Sequence, residues 1–328
     1  MIARVRLSRL SIRLVVAAGL TGYMLWKAHP RDVAAIATRA EWQPMLVAVG
    51  LVLADRALMA YRWLALLCTV EANRRPPLWV VMRVFFVSTF VGTFLPMSVG
   101  GDMVRSYSIT RFNVSGGDAV ASVLMDRVLG VASILLVGLV GVMLVADLAG
   151  NAGVLILLAV ALAVCGLVFL LVFSRRTAAL ALILIARMPG AILRHGGDRL
   201  LESVRKYAGF RGQLMIVLAC SVGVQILRIV QAYYLGRGLG IDVPLVAYFG
   251  FIPVILLIML VPITFNGIGT SQAAFVWLFA RAGTPSSAAF ALSVLFVALG
   301  IVGNLPGGIL YAVGGLTGQD ERGVQVTL

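Results

Sequence analysis

Residues 94–105 read Phe94-Leu95-Pro96-Met97-Ser98-Val99-Gly100-Gly101-Asp102-Met103-Val104-Arg105, and they interrupt an apolar stretch at 78–111. Proline lacks the amide proton a helix needs, and its ring clashes with the preceding turn. Glycine tolerates backbone angles closed to other residues. The stretch therefore reads as half-helix, break, half-helix. A second stretch, 243–282, is interrupted in the same way at Leu260-Val261-Pro262-Ile263-Thr264-Phe265-Asn266-Gly267-Ile268-Gly269. When the chain is shifted on itself by 166 residues, Pro96 falls on Pro262, Ser98 on Thr264, Gly101 on Gly267 and Arg62 on Arg228.

Around these breaks the chain is strongly apolar. Of 328 residues, 61% are hydrophobic and 12% are charged, against roughly 45–50% and about 25% in a soluble domain. So much apolar surface requires lipid as its solvent. Helices are the expected spanning element, because each satisfies its own backbone hydrogen bonds. A membrane barrel would show alternating rather than continuous apolar runs. A span takes about 20 apolar residues. Full spans are expected at 12–27, 44–68, 118–147, 152–173, 212–236 and 285–314, with 78–111 and 243–282 as broken, re-entrant helical hairpins. The expected fold is one all-α polytopic membrane domain. Repeat one covers about 44–147, repeat two about 212–314, and a linker runs over 174–211.

The charge distribution orients this scheme. The net charge is +14, which in a soluble chain would suggest nucleic acid. Here the basic residues gather at helix ends and short loops, where they fit anionic lipid headgroups and topology; no nucleic-acid partner is expected. The N-terminus carries Arg4, Arg6, Arg9 and Arg13 with no acid, and the linker carries eight basic residues against Asp198 and Glu202. The positive-inside rule places both on the cytoplasmic side. Both termini are then cytoplasmic in a cell (inner) membrane, and the two broken stretches have opposite orientation. Inverted repeats with broken helices are a transporter layout, with the site near the midplane.

Charged residues inside the apolar stretches are the candidate site. Asp55, Arg56, Arg62, Arg83, Asp102, Arg105, Asp126, Arg127 and Arg228 all fall there. Each costs roughly 2.5–3.5 kcal/mol at the bilayer centre, so such residues face the bundle interior. Asp102 is expected to cap its own half-helix and to meet Arg105 at i,i+3. Arg62 and Arg83 are expected to lie near the inner interface, within reach of the headgroups. Arginine outnumbers aspartate six to three in this set. Its planar fork suits phosphate oxygens, so the surplus points to a phosphate-bearing substrate. The alternative is mutual structural pairing.

Other chemistries lack their residues. There is no phosphate-binding P-loop and no HExxH, and no GxSxG elbow. Cys68, Cys165 and Cys220 lie in apolar runs with no CxxC spacing. No enzyme activity and no cofactor or metal is expected.

The ordered set Leu95-Pro96…Gly100-Gly101-Asp102…Arg105, Asp126-Arg127…Gly130 and Pro262…Asn266-Gly267-Ile268-Gly269 resembles the flippase-like family, also called the lysylphosphatidylglycerol synthase transmembrane region. The resemblance runs over roughly residues 10–315. It implies a helical bundle with two re-entrant elements that flips lipids or lipid-linked molecules. By position it carries over Gly100, Gly101, Asp102, Arg105, Asp126 and Arg127 from the first motifs, and Asn266, Gly267 and Gly269 from the last. Gln272 stands where many relatives have Glu, so a proton-linked role of that carboxylate does not carry over. The chain ends shortly after its last span, so the soluble aminoacyl-transferase domain of two-domain relatives is not expected, nor is lysine transfer.

The expected function is thus a lipid flippase or scramblase, with Arg62, Arg105, Arg127 and Arg228 on the phosphate of a phospholipid or lipid-linked substrate. Two alternatives stay open. One is a non-transporting accessory protein of envelope-lipid or polyprenyl-linked glycan synthesis, acting with a partner enzyme or as a homo-oligomer. The other is an ion-coupled small-solute transporter.

Overall fold

A computed structural model describes residues 31, 40–70, 77–94, 100–112, 114–145, 148, 150–186, 191–261 and 267–314. Every regular element among them is helical. In chain order they are α1 (Trp42–Val70), α2 (Leu78–Phe94), α3 (Gly100–Thr110), α4 (Gly116–Leu144), α5 (Ala152–Phe173), α6 (Arg175–Ala186), α7 (Ala191–Lys206), α8 (Arg211–Gly238), α9 (Leu245–Leu260), α10 (Thr270–Phe279), α11 (Ser286–Val302) and α12 (Leu305–Gly314). Among the described residues, five segments are long and apolar enough to cross a membrane: Trp42–Leu67, α4, α5, α8 and Ser286–Ala312. The expected first span, 12–27, lies outside the described residues.

Local chemistry explains several boundaries. Ser115 caps α4 by accepting from the Asp118 amide at 3.1 Å, and Asn151 caps α5 by accepting from Val154 at the same distance, each satisfying an amide that the first turn leaves without a partner. The span expected over 285–314 is two helices, parted at Gly303–Asn304. Gly303 is needed there by packing: a Cβ would lie 2.8 Å from the Val52 side chain.

Each broken stretch folds back on itself. In the first, Gly101 at the start of α3 lies against α2, where a Cβ would stand 2.9 Å from the Ser88 carbonyl oxygen. Further along, Ile109 joins Val81, Val84 and Phe85 in one apolar cluster. In the second, Gly267 lies against Met259, and Phe279 stacks edge-on to Phe251 at 5.3 Å and to Tyr248 at 5.1 Å. The second arms have 11 and 10 residues. At ~1.5 Å per residue they are about 15 Å long, roughly half a hydrocarbon core. The breaks themselves, Pro96–Val99 and Pro262–Asn266, lie outside the described residues.

The long helices α1 and α8 pack antiparallel. Met45 meets Gly238, Leu58 meets Gly223, and Arg62 meets Ser221. Two close crossings then tie the halves together. Pro253 inside α9 cannot donate to the Phe249 carbonyl. Gly141 of α4 lies against that carbonyl, where a Cβ would stand 2.1 Å from the oxygen. On the other side, Gly307 of α12 lies against the Phe86 carbonyl of α2, where a Cβ would stand 2.0 Å away. A 166-residue shift carries Gly141 onto Gly307.

The periphery shows the solvent for which the fold is built. The flank of α5 leaves Ile156, Val160, Val164 and Leu167 more than half exposed. A helix that is apolar all round and open on one side suits lipid. The linker helices α6 and α7 pack on the far end of α4 and α5. Lys206 reaches the nearly buried Asp118 at 2.9 Å. Tyr207, wholly buried, donates to the Leu66 carbonyl at 3.2 Å, and burial pushes its hydroxyl pKa up.

Candidate functional site

The first hairpin, α1, α4 and α8 enclose a cavity of about 260 Å³. Four arginines and two aspartates line it: Arg62, Arg105, Arg127 and Arg228 with Asp102 and Asp126. Four helices deliver them. Arg62 comes from α1, Asp102 and Arg105 from the short arm α3, Asp126 and Arg127 from α4, and Arg228 from α8.

Two centres hold these charges, the second together with Asp55 and Arg56. In the first, Asp126 accepts from Arg62 Nε at 2.7 Å and from Arg105 Nη2 at 3.3 Å. Asp102 accepts from Arg105 at 3.2 Å and from Arg127 Nε at 2.6 Å. Arg62 also donates to Ser221 at 3.1 Å. Arg105 lies under aromatic cover, with its guanidinium carbon 4.9 Å from the Trp63 ring centre and 5.5 Å from that of Phe85. In the second, Asp55 accepts from Arg56 at 2.9 Å and from Arg228 Nε at 3.2 Å. Three arginines meet two aspartates in the first centre, and two meet one in the second, so both keep surplus positive charge.

Burial sets what each group can do. Arg62 and Asp126 are each 4% exposed, and Arg105 is 5%. Ions so buried are tolerable only when paired. Arg127 is 46% exposed, so it combines an ion pair with access to whatever enters.

Several expectations need correcting at this level. Arg62 does not reach toward an interface; it is held in the first centre by Asp126 and Ser221. Asp102 sits in the first turn of α3, but its carboxylate is engaged by Arg105 and Arg127, which are stronger partners than a backbone amide. Asp55 and Arg56, adjacent in sequence, pair at 2.9 Å.

The first motif group converges on this cavity. Gly101 lines it; Gly100 is buried at the start of α3 beside it. Gly267, Gly269 and Gln272 belong to the second hairpin and are not among the lining residues; Asn266 lies outside the described residues. There, Gln272 accepts from the Gly269 amide and from Ser271 Oγ at 3.0 Å, a helix-starting device. Gly267 and Gly269 have positive φ, 76° and 90°, which only glycine adopts freely.

Sequence reasoning missed the uncharged polar lining: Ser88, Thr89, Thr93, Gln225 and Asn304. Gln225 and Asn304 carried a usable signal, since side-chain amides are unusual inside apolar spans. Among the described residues, no group of three or more His, Cys, Asp or Glu is placed to hold a metal ion.

Fold and site together define an all-α polytopic membrane protein with a charged cavity between its helices. The chain belongs to the family described as lysylphosphatidylglycerol synthase TM region, whose family model matches residues 10–307. No curated protein and no solved structure matches the chain.

Proposed function

We propose that this protein moves a lipid or lipid-linked molecule across the inner membrane, with the anionic part of the headgroup handled in the arginine-lined cavity. One observation carries the reading: a cavity with four arginines against two aspartates on its wall. A phosphate supplies the charge that this surplus lacks, and guanidinium forks bind it through two donors at once. Arg127 and Arg228 are the contacts with most freedom, being the most exposed of the cavity's arginines. The protein is then a transporter of lipid and not an enzyme.

The two hairpins are re-entrant arms of an inverted repeat, covering about 44–147 and 212–314. In support, a 166-residue shift places Leu78–Phe94 at 244–260, and α9 occupies Leu245–Leu260. The antiparallel packing of α1 on α8 fits opposite orientation of the halves. Both termini and the basic linker face the cytoplasm, where the linker meets anionic headgroups.

The test is reconstitution in liposomes carrying a trace of lipid labelled on an acyl chain, with a membrane-impermeant quencher added outside. The expected result is quenching well beyond the half that protein-free vesicles allow, and a marked fall in folded Arg127→Ala and Arg228→Ala. Quenching equal to empty vesicles across several lipid classes would sink transport and turn attention to an accessory role beside a partner enzyme.

A further inference from the structure

Three consecutive residues at the end of the linker tie it to three different helices. Arg205 donates to the Leu171 and Ser174 carbonyls at the end of α5, at 3.3 and 3.0 Å. A cation suits carbonyls that a helix end leaves without partners. Lys206 reaches Asp118 at the start of α4 at 2.9 Å. Tyr207 donates to the Leu66 carbonyl near the end of α1 at 3.2 Å. Two of these helices, α1 and α4, carry Arg62 and Asp126 to the cavity. Whatever fixes the linker therefore also braces the helices that hold the charges.

The helix α6 supplies a means of fixing it. The 22 residues of α5 are about 33 Å long at ~1.5 Å per residue, enough to cross a hydrocarbon core of about 30 Å. Arg175 and Arg176 follow directly, at the level where headgroups begin. After Thr177 every residue of α6 is apolar, and its first turn holds no acid. One side packs inward: Ala178 is buried, and Ile185 lies on Gly197 of α7. On the other, Leu180, Leu182 and Ile183 are 61%, 46% and 51% exposed. Arg211, at the start of α8, adds a third cation over the Phe173 ring at 5.7 Å. Arginines beside an exposed apolar face are the pattern of a helix lying in a membrane surface.

We infer that α6 docks in the headgroup layer of an anionic membrane surface. Arg175, Arg176 and Arg211 meet lipid phosphates there, and Leu180 and Ile183 enter the upper acyl region. The anchorage braces α1 and α4 through Arg205, Lys206 and Tyr207. A protein on this face would have to bring acids together with apolar groups. A second copy of this chain is a poor source, with 13 acidic residues against 27 basic ones. Anionic lipid supplies both and already surrounds the end of α5.

The first test is thermal melting of the full chain in phosphatidylcholine nanodiscs, alone or with about a third of the lipid replaced by phosphatidylserine or phosphatidylglycerol. Both anionic lipids should raise the melting temperature alike, by about 3 °C or more. Salt at about 0.5 M should remove the rise, and Arg175→Gln with Arg176→Gln should lose most of it. No rise, or a rise with one anionic lipid only, overturns the inference; the latter result belongs to a headgroup-selective site and not to surface charge. The depth of α6 is read separately, from a fluorescent label on Ile183→Cys in a chain carrying Cys68→Ala, Cys165→Ala and Cys220→Ala. Spin-labelled lipid should quench it strongly and aqueous iodide weakly. Stronger quenching by iodide would put α6 in water, and quenching by neither would put a second copy of the chain on this face. Either result overturns the inference. Neither readout involves transport, so lipid movement and surface docking fail separately.

Discussion

The two hairpins share a layout and differ in chemistry. In each, a glycine at the start of the returning arm lies against the first arm: Gly101 near Ser88 and Gly92, Gly267 near Met259. In each half, a glycine further along lies on a carbonyl of the other half. Yet a 166-residue shift carries Asp102 onto Ile268, Arg105 onto Ser271, Asp126 onto Leu292 and Arg127 onto Ser293. The first hairpin carries the charges, while the second is filled by Phe251, Phe275 and Phe279 around Tyr248. The lesson is a division of labour: the backbone geometry serves both hairpins, and only the first brings aspartate and arginine to the cavity. The long helices keep a trace of balance. Arg62 meets Ser221 and Arg228 meets Asp55, and each contact is the other's counterpart under the shift.

Making the first half resemble the second should have the largest effect. Asp126→Leu installs the residue found at Leu292 and leaves Arg62 and Arg105 buried without their shared acceptor. Removing one side of a buried ion pair costs about 3–5 kcal/mol. We expect the lowest melting temperature of any variant here, partly restored by adding Arg62→Leu. A mild effect would mean that the charges do not hold the fold together.

The paired crossings come next. Gly141→Ala and Gly307→Ala each push a methyl into a backbone carbonyl, at a cost of about 1–3 kcal/mol. Similar losses in thermal melts would sharpen the correspondence between halves. A loss at only one site would break it.

The smallest effect is expected at Gln272. Truncation to alanine removes the cap on the Gly269 amide, worth ~1 kcal/mol, and leaves lipid quenching at the wild-type rate. A stable Gln272→Ala that no longer moves lipid would show that the second hairpin takes part in the chemistry after all.

Most of the helical scheme was legible in the sequence because lipid demands long apolar runs and the runs are long. The span at α5 needed nothing beyond its composition. The split of 285–314 was harder to see, since Gly303 resembles an ordinary span residue until Val52 is found against it. Arg62 illustrates the same limit in the site. Its distance from the next loop suggested a side chain reaching outward, whereas Asp126 and Ser221, from two other helices, hold it inside. Gln272 lay in a motif that suggested substrate contact, and its bonds to Gly269 and Ser271 give it a structural task.

By itself the sequence determined that the chain is a helical membrane protein with two proline-glycine interruptions and too many arginines for its aspartates. Those are properties of composition and spacing, and lipid acts on them directly. Which arginine meets which aspartate, and that the first hairpin rather than the second brings charges to the cavity, were decided by tertiary packing. Hydrogen bonds and ion pairs form over about 3 Å, and residues 64 or 173 positions apart reach that distance only once the helices have closed on one another.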